Sequence, residues 1–175
     1  MAVRPILLYP DSTLKGIAQP VSLTDPAIGG IVQDMLDTLD ASPGVALAAP
    51  QIGHLLQIIV VDVSRKKGKT GHGLIVLLNP HIIEQEQPRV IREGCLSVPD
   101  YTGNVLRYDR TVVEGMTPEG RVLAFDASGL EALAFQHEID HLYGRLFLDR
   151  IHSLSTDLFR RTKRNVGVTD TRLSE

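Results

Sequence analysis

The stretch FQHEIDHLYG, residues 135–144, decides how the rest of this 175-residue chain is read. It sets His137 and His141 four residues apart, with Glu138 beside the first and Gly144 three past the second. At helical periodicity Leu130, Leu133, Ala134, His137 and His141 share one side, while Phe135, Ile139 and Leu142 lie on another. Two apolar flanks predict a helix covered on both sides, with its histidines on a buried face. SGLE (128–131) has the spacing of a capping box, Ser128 accepting from the Glu131 N–H while the Glu131 carboxylate reaches back. Gly144 is placed to end the helix.

Outward from this helix the chain reads as alternating short elements. TDPAIGGIVQDMLDTLDAS (24–42) carries apolar residues at three- and four-residue steps; Thr24 or Asp25 can cap it and Pro26 suits its first turn. LLQIIVVDV (55–63) and LIVLLN (74–79) read as strands. Between them SRKKGKTGHG (64–73) is most simply a solvated turn, although its lysines could touch an acidic partner. Extended pieces follow over 81–91, 104–115 and 121–125, the last two separated by the turn MTPEGR. The amphipathic segment SLSTDLFRRTKRNVG (153–167) is expected as a C-terminal helix. With no repeat or linker, residues 1–167 read as one domain and 168–175 as a flexible tail. The class expected is α+β: mixed and antiparallel β-sheets around a central helix, with an N-terminal and a C-terminal helix.

Composition narrows the function. Hydrophobic residues at 43% and charged residues at 22% are globular values. A formal charge of −3 gives no reason to expect nucleic acid as the main ligand. No apolar run reaches the roughly 18 residues of a membrane helix, and MAVRPILLYPDS lacks the pattern of a secretory signal. The one cysteine, Cys95, allows no internal disulfide and fits a reducing cytosol.

Histidines at i and i+4 bring two imidazoles side by side, so both can bind one ion, and an adjacent acid can move protons at such a site. The plain alternative is two core histidines bonded to backbone. A metal needs a third ligand. The metzincin pattern is followed through Gly144, but Phe147 stands where its third histidine belongs, and phenylalanine cannot ligate. After His141 the only glutamate is the terminal Glu175, so a thermolysin-like arrangement also lacks its ligand. His54, His72, His81 and His152 have no supporting pattern and read as surface histidines. REGCLSVPD (92–100) offers Cys95 on a loop after an extended segment. A thiolate there would complete a Cys–His–His set with one open position. Spacing alone leaves this open against a buried structural cysteine.

Three blocks in order, GVALAAPQ (44–51), EGCLS (93–97) and QHEIDHLYG (136–144), resemble the peptide deformylases, and ILLYPDSTLK (6–15) and QIGHLLQIIVVDV fit as flanks. The resemblance spans roughly residues 4–150 and is far more specific than the two histidines alone. It implies a cytoplasmic, bacterial-type or organellar hydrolase that removes the formyl group from N-formylmethionine on new polypeptides, releasing formate. It further implies that Cys95, His137 and His141 hold a divalent ion, with Glu138 as general acid/base on a metal-bound water. The Gln51 amide and the Leu96 backbone N–H would hold the developing oxyanion. The family usually works with Fe²⁺, and Zn²⁺, Ni²⁺ or Co²⁺ also occupy the site; the ligand set alone suggests zinc. Gly44, Val45 and Ala46 would pair with the peptide backbone as an added strand, with Gly94 beside them. Val45, Glu93, Leu130, Leu133 and Ala134 would form the methionine pocket.

The chain departs from the family at two places. The second glycine of the GxGxAAxQ pattern is Ala46, and a frequently basic position seven after the cysteine is Thr102; Arg107 matches another basic position. The ligands, acid and oxyanion donor are intact, so the departures read as changes of substrate fit. The basic run FRRTKRN (159–165) reads first as a solvated helix end. Ribosome contact is its alternative, since C-terminal helices make that contact in some family members.

Overall fold

A computed structural model describes residues 2–161 of the chain. Its strands are β1 (Ala46–Ala48), β2 (Ile58–Val61), β3 (Ile75–Cys95), β4 (Val98–Met116), β5 (Val122–Ser128) and β6 (Leu158–Arg160). Its helices are α1 (Ile28–Asp40), α2 (Gly129–Leu142) and the single turn α3 (Leu154–Asp157). The strands run β1-β2-β3-β4-β5 in one sheet, with β6 on Tyr101–Gly103 of β4. All these pairs are antiparallel. Parallel pairing among the described residues is confined to the isolated bridge Gln19–Leu56, so the expected mixed character shrinks to that.

β2 shows why an apolar run here lacks alternation. All four residues are buried: Ile58 and Val60 pack with Val32, Met35 and Leu39 of α1, while Ile59 and Val61 pack with Phe135, Ile139 and Leu142 of α2. A strand covered on both faces needs apolar side chains on both. The sheet is thus sandwiched between α1 and α2, and α2 is buried along most of its length, as its two apolar flanks predict. No helix among the described residues is long and apolar enough to cross a membrane.

The separate extended pieces at 74–79 and 81–91 are one strand, β3, which bends at register shifts after Leu78, Ile82 and Gly94. The last shift precedes a two-residue turn, Leu96–Ser97, that returns the chain into β4 with Cys95 opposite Val98. Such irregularities re-aim side chains at sheet ends, and here they turn Cys95 inward to 4% exposure.

Three local expectations are corrected. α1 starts at Ile28, after a turn in which Asp25 Oδ1 accepts the Ala27 N–H (2.9 Å), so neither Thr24 nor Asp25 is the helix cap. The capping box at Ser128 does not form: Ser128 makes no side-chain cap bond. Glu131 accepts instead from the His72 N–H (2.8 Å) and pairs with His72 Nδ1 (2.7 Å), so His72, exposed as expected, is tied to α2. The long C-terminal helix is also absent from the described residues. Only Leu154–Asp157 is helical, and Leu158–Arg160 form β6 instead, because the exposed edge of β4 offers backbone partners that local periodicity cannot register. Lys163, Arg164 and the tail 168–175 lie outside the described residues. Gly144 ends α2 as expected, at φ +66°, where a Cβ would collide with the Lys15 backbone.

Candidate active site

α2 supplies His137, Glu138 and His141, and the β3–β4 turn supplies Cys95 to the same point. The candidate ligand atoms of Cys95, His137 and His141 all lie within 4.8 Å of one another. Cys95 Sγ sits 3.3 Å from His141 Nε2, and the two imidazoles stand edge to face at 4.9 Å. His137 Nδ1 is 2.5 Å from Glu93 Oε1. Burial lowers the basicity of His137, but Glu93 and Cys95 outweigh it and hold the ring protonated until an ion displaces the Nε2 proton, the Nδ1–H keeping its bond to Glu93. Burial and the neighbouring His137 push the basicity of His141 well down, which keeps it a neutral, ligating imidazole. Soft sulfur with two imidazoles suits a divalent transition ion rather than magnesium or calcium.

Glu138 is buried and its Oε2 has no hydrogen-bond partner among the described residues. Burial is the main cause raising its carboxyl to about 7; His137 and Arg107 oppose that rise, while Glu93 and Asp140 add to it. A carboxyl in that range can both take and give a proton near neutral pH. The orphaned oxygen and the three converging ligands are what a site completed by an ion and a water would leave in the protein.

Gln51 comes from a 3₁₀ turn, Ala49–Ile52, just after β1. Its Oε1 accepts the Ala48 N–H (2.9 Å), which aims Nε2 at Ser97 Oγ (3.2 Å) and Cys95 Sγ (3.6 Å). The Ser97 N–H also donates to the sulfur (3.4 Å). Both donors point at the sulfur, the atom that would ligate an ion.

A cavity of about 500 Å³ opens over these groups and is lined by every residue the sequence nominates for peptide and methionine binding: Gly44, Val45, Ala46, Glu93, Gly94, Leu130, Leu133 and Ala134. Gln51, Cys95, Leu96, His137 and Glu138 also line it; His141 lies beneath. Ala46 opens β1 opposite Val61 and is 8% exposed, and its φ is not positive, as expected for a strand. Glu93 differs from a simple pocket wall. Its carboxylate is turned to Arg107, which grips it through Nε and Nη2 (both 2.8 Å), and to His137. Burial pushes this carboxyl up, but His137 and Arg107 outweigh burial and hold it well below the usual range.

Several contributors were given no role at the site by the sequence, Arg107 being noted only as matching a basic position of the family. Arg107, only 2% exposed, also donates to Asp140 (2.6 Å), which Arg150 clamps from the other side. The chain Arg150–Asp140–Arg107–Glu93–His137 thus runs from the surface to a candidate ligand. Its one local signal was an aspartate inside HEIDH on a helix expected to be buried, since a buried acid requires a cation. Arg65 is the other: from the loop after β2 it donates to Leu39 O (3.0 Å) and Gly44 O (3.3 Å) and pairs with Asp40 (3.0 Å), pinning the segment that leads into β1. Gln136 stitches α2 to β4 through Tyr108 O (2.7 Å), Thr111 Oγ1 (2.9 Å) and the Tyr108 N–H (3.0 Å).

Comparison with known proteins agrees with this geometry. Residues 3–157 match the family model for polypeptide deformylase. A peptide deformylase of Syntrophobacter fumaroxidans is 44% identical over 161 residues, covering 92% of this chain and 94% of its own. One of Heliobacterium modesticaldum is 43% identical over 153 residues, covering 87% and 97%. Among solved structures, a peptide deformylase from Legionella pneumophila superposes with a TM-score of 0.80 at 38% identity, over 87% of this chain and 88% of that one. A Met-Ala-Ser-bound class I type b deformylase from Acinetobacter baumannii gives 0.79 at 34% identity, over 86% and 99%. Matched over most of its length in both sequence and fold, this chain belongs to the polypeptide deformylase family and is a hydrolase.

Proposed function

We propose that this protein removes the N-formyl group from formyl-methionine at the start of newly made polypeptides, using a divalent ion held by Cys95, His137 and His141. The observation that carries the reading is the convergence of three ligands, a buried acid and a side-chain amide at one cavity. Nascent chains as substrate imply work in the cytoplasm. By the family resemblance the ion in the cell is Fe²⁺, with Zn²⁺, Ni²⁺ or Co²⁺ able to replace it.

The peptide lies along Gly44–Ala46 as an added strand, so backbone pairing supplies affinity without reading distal side chains. The methionine side chain enters among Val45, Leu130, Leu133 and Ala134. The metal supplies Lewis acidity that makes water nucleophilic near neutral pH. Glu138 Oε2 takes a proton from the attacking water as its oxygen bonds to the formyl carbon. The Gln51 amide and the Leu96 N–H donate to the formyl oxygen as it gains charge, each contributing on the order of 3 kcal/mol. Glu138 then passes its proton to the departing nitrogen, the C–N bond breaks, and formate and a free amino terminus remain. The Acinetobacter relative binds Met-Ala-Ser, a peptide with the free methionine terminus that deformylation would leave.

Formate release from formyl-Met-Ala, set against acetyl-Met-Ala and Met-Ala-Met, is the test. Release from the formyl peptide alone is expected. Cleavage of Met-Ala-Met would point to a peptidase, and turnover of none of the three would point to a binding protein that has lost its chemistry.

A further inference from the structure

The cavity's outer rim carries charge that the reaction does not use. Lys66, Arg92 and Arg161 line it, and none has a carboxylate partner among the described residues. Elsewhere Arg4, Arg65, Arg89, Arg107, Arg110 and Arg150 are paired with Asp or Glu, while Arg121, Arg145 and Arg160, away from the cavity, also lack an ion pair among the described residues. The two carboxylates lining the cavity offer no relief, because Glu93 is held by Arg107 and His137 and Glu138 is buried at the floor.

Arg161 is delivered by β6. Its N–H donates to Asp100 O (2.8 Å), continuing the pairing of Arg160 with Tyr101. Its guanidinium lies against Gly94, the residue before Cys95, where any Cβ would collide with Nη2. Glycine at 94 therefore makes room for this cation at the cavity wall. Arg92 is fixed beside it, stacked 3.4 Å over the Phe159 ring and donating to Thr102 Oγ1 (3.2 Å). Two cations are thus held in place on the wall nearest the candidate metal ligands, and Lys66 stands on the rim with them.

We propose that Arg161, supported by Arg92 and Lys66, binds a carboxylate of the substrate peptide shortly downstream of the formyl-methionine. The proposal rests on the deformylase reading and assigns the specificity of that same site. Gly94 adjoins Cys95, so the guanidinium meets the peptide within about two residues, ~7 Å of extended chain, of the bond cut. The carboxylate can come from an acidic side chain at the third residue or from the terminus of a short peptide; both present the planar anion a guanidinium pairs with.

Four substrates separate these sources: formyl-Met-Ala-Asp-amide, formyl-Met-Ala-Asn-amide, formyl-Met-Ala-Ser and formyl-Met-Ala-Ser-amide. The wild-type enzyme is expected to favour each acid over its neutral partner about fivefold, mostly through KM, as suits one partly exposed ion pair. The preference should shrink as ionic strength rises toward 1 M. In Arg161→Gln the acid-to-neutral ratio of kcat/KM falls to about one, and Arg161→Lys restores part of it. A preference in the Asp/Asn pair alone assigns the site to side chains, and one in the Ser pair alone assigns it to chain termini. Equal use of acid and neutral peptides by the wild type, or a ratio unmoved in Arg161→Gln, overturns the proposal. Calorimetric binding of the deformylated peptides Met-Ala-Asp-amide and Met-Ala-Asn-amide to the same variants reads the ion pair without turnover. Absence of formate release from any peptide would count against the deformylase reading, while the binding arm still decides the role of Arg161.

Discussion

Replacing Arg107 by methionine tests whether the buried ion network holds the candidate metal site in shape. The change removes two N–H donors from Glu93 (both 2.8 Å) and one from Asp140 (2.6 Å). Asp140 keeps Arg150, so the main loss falls on Glu93, which is 8% exposed and retains only His137. Breaking a buried pair by deleting one partner costs roughly 3–5 kcal/mol. With Asp140 still paired, we expect the low end, about 3 kcal/mol. For a chain of this size that corresponds to a fall in Tm of about 6–12 °C.

The pH dependence distinguishes this cause from lost packing. In the wild type the Glu93 carboxyl is held below its ordinary value, so it contributes stability that is present above about pH 4.3 and lost as pH falls toward the folded value. In Arg107→Met burial has less opposition and the folded value rises, so the variant's penalty is absent in acid and grows as pH climbs. The gap between the two proteins is therefore widest near neutrality and narrows below about pH 4. Urea unfolding of the metal-free proteins across pH measures it, and Glu93→Gln in the variant should recover part of the loss. Metal affinity by chelator competition should fall about 10–100-fold, since Glu93 orients His137. A loss below about 1 kcal/mol, or one of the same size at every pH, would refute the reasoning.

Cys95→Ala or His141→Ala is expected to lose both metal and activity, because two ligands make a poor site; metal analysis showing full occupancy in Cys95→Ala would remove that assignment. Glu138→Gln should keep its metal yet lose on the order of 10²–10⁴ in kcat, since the amide matches the shape but cannot carry the proton. Turnover within about tenfold of wild type would fall short of that range and exclude the acid/base role. Ala46→Gly should shift KM for formyl-Met peptides, or the binding of bulky peptide-like inhibitors, by a few-fold with a much smaller effect on kcat, a change in uniform binding. A hundredfold fall in kcat would show instead that the methyl positions the reacting group.

Local pattern was enough for some of this protein. The i, i+4 spacing of His137 and His141 put both rings on one side of α2, because helical geometry is set by neighbours in the chain. The apolar run within LLQIIVVDV was likewise enough to give a strand, though only the fold showed that both of its faces are covered. The bare residues could go no further than nominating Cys95, and the ordered motifs of a family were needed to choose it. Tertiary structure decided the rest. Cys95 meets His141 across 46 positions because β3 shifts register just before its turn. Glu131 abandons the capping box that its own segment encodes, because His72, 59 positions away, offers a stronger pair of contacts. Arg107 is buried only because Glu93 and Asp140 arrive from another strand and from α2 to neutralise it. Residues 158–160 become a strand because the edge of β4 has unpaired backbone groups to satisfy. Periodicity and capping report interactions within a turn or two, whereas hydrogen bonding and desolvation are settled by whatever the folded chain brings alongside.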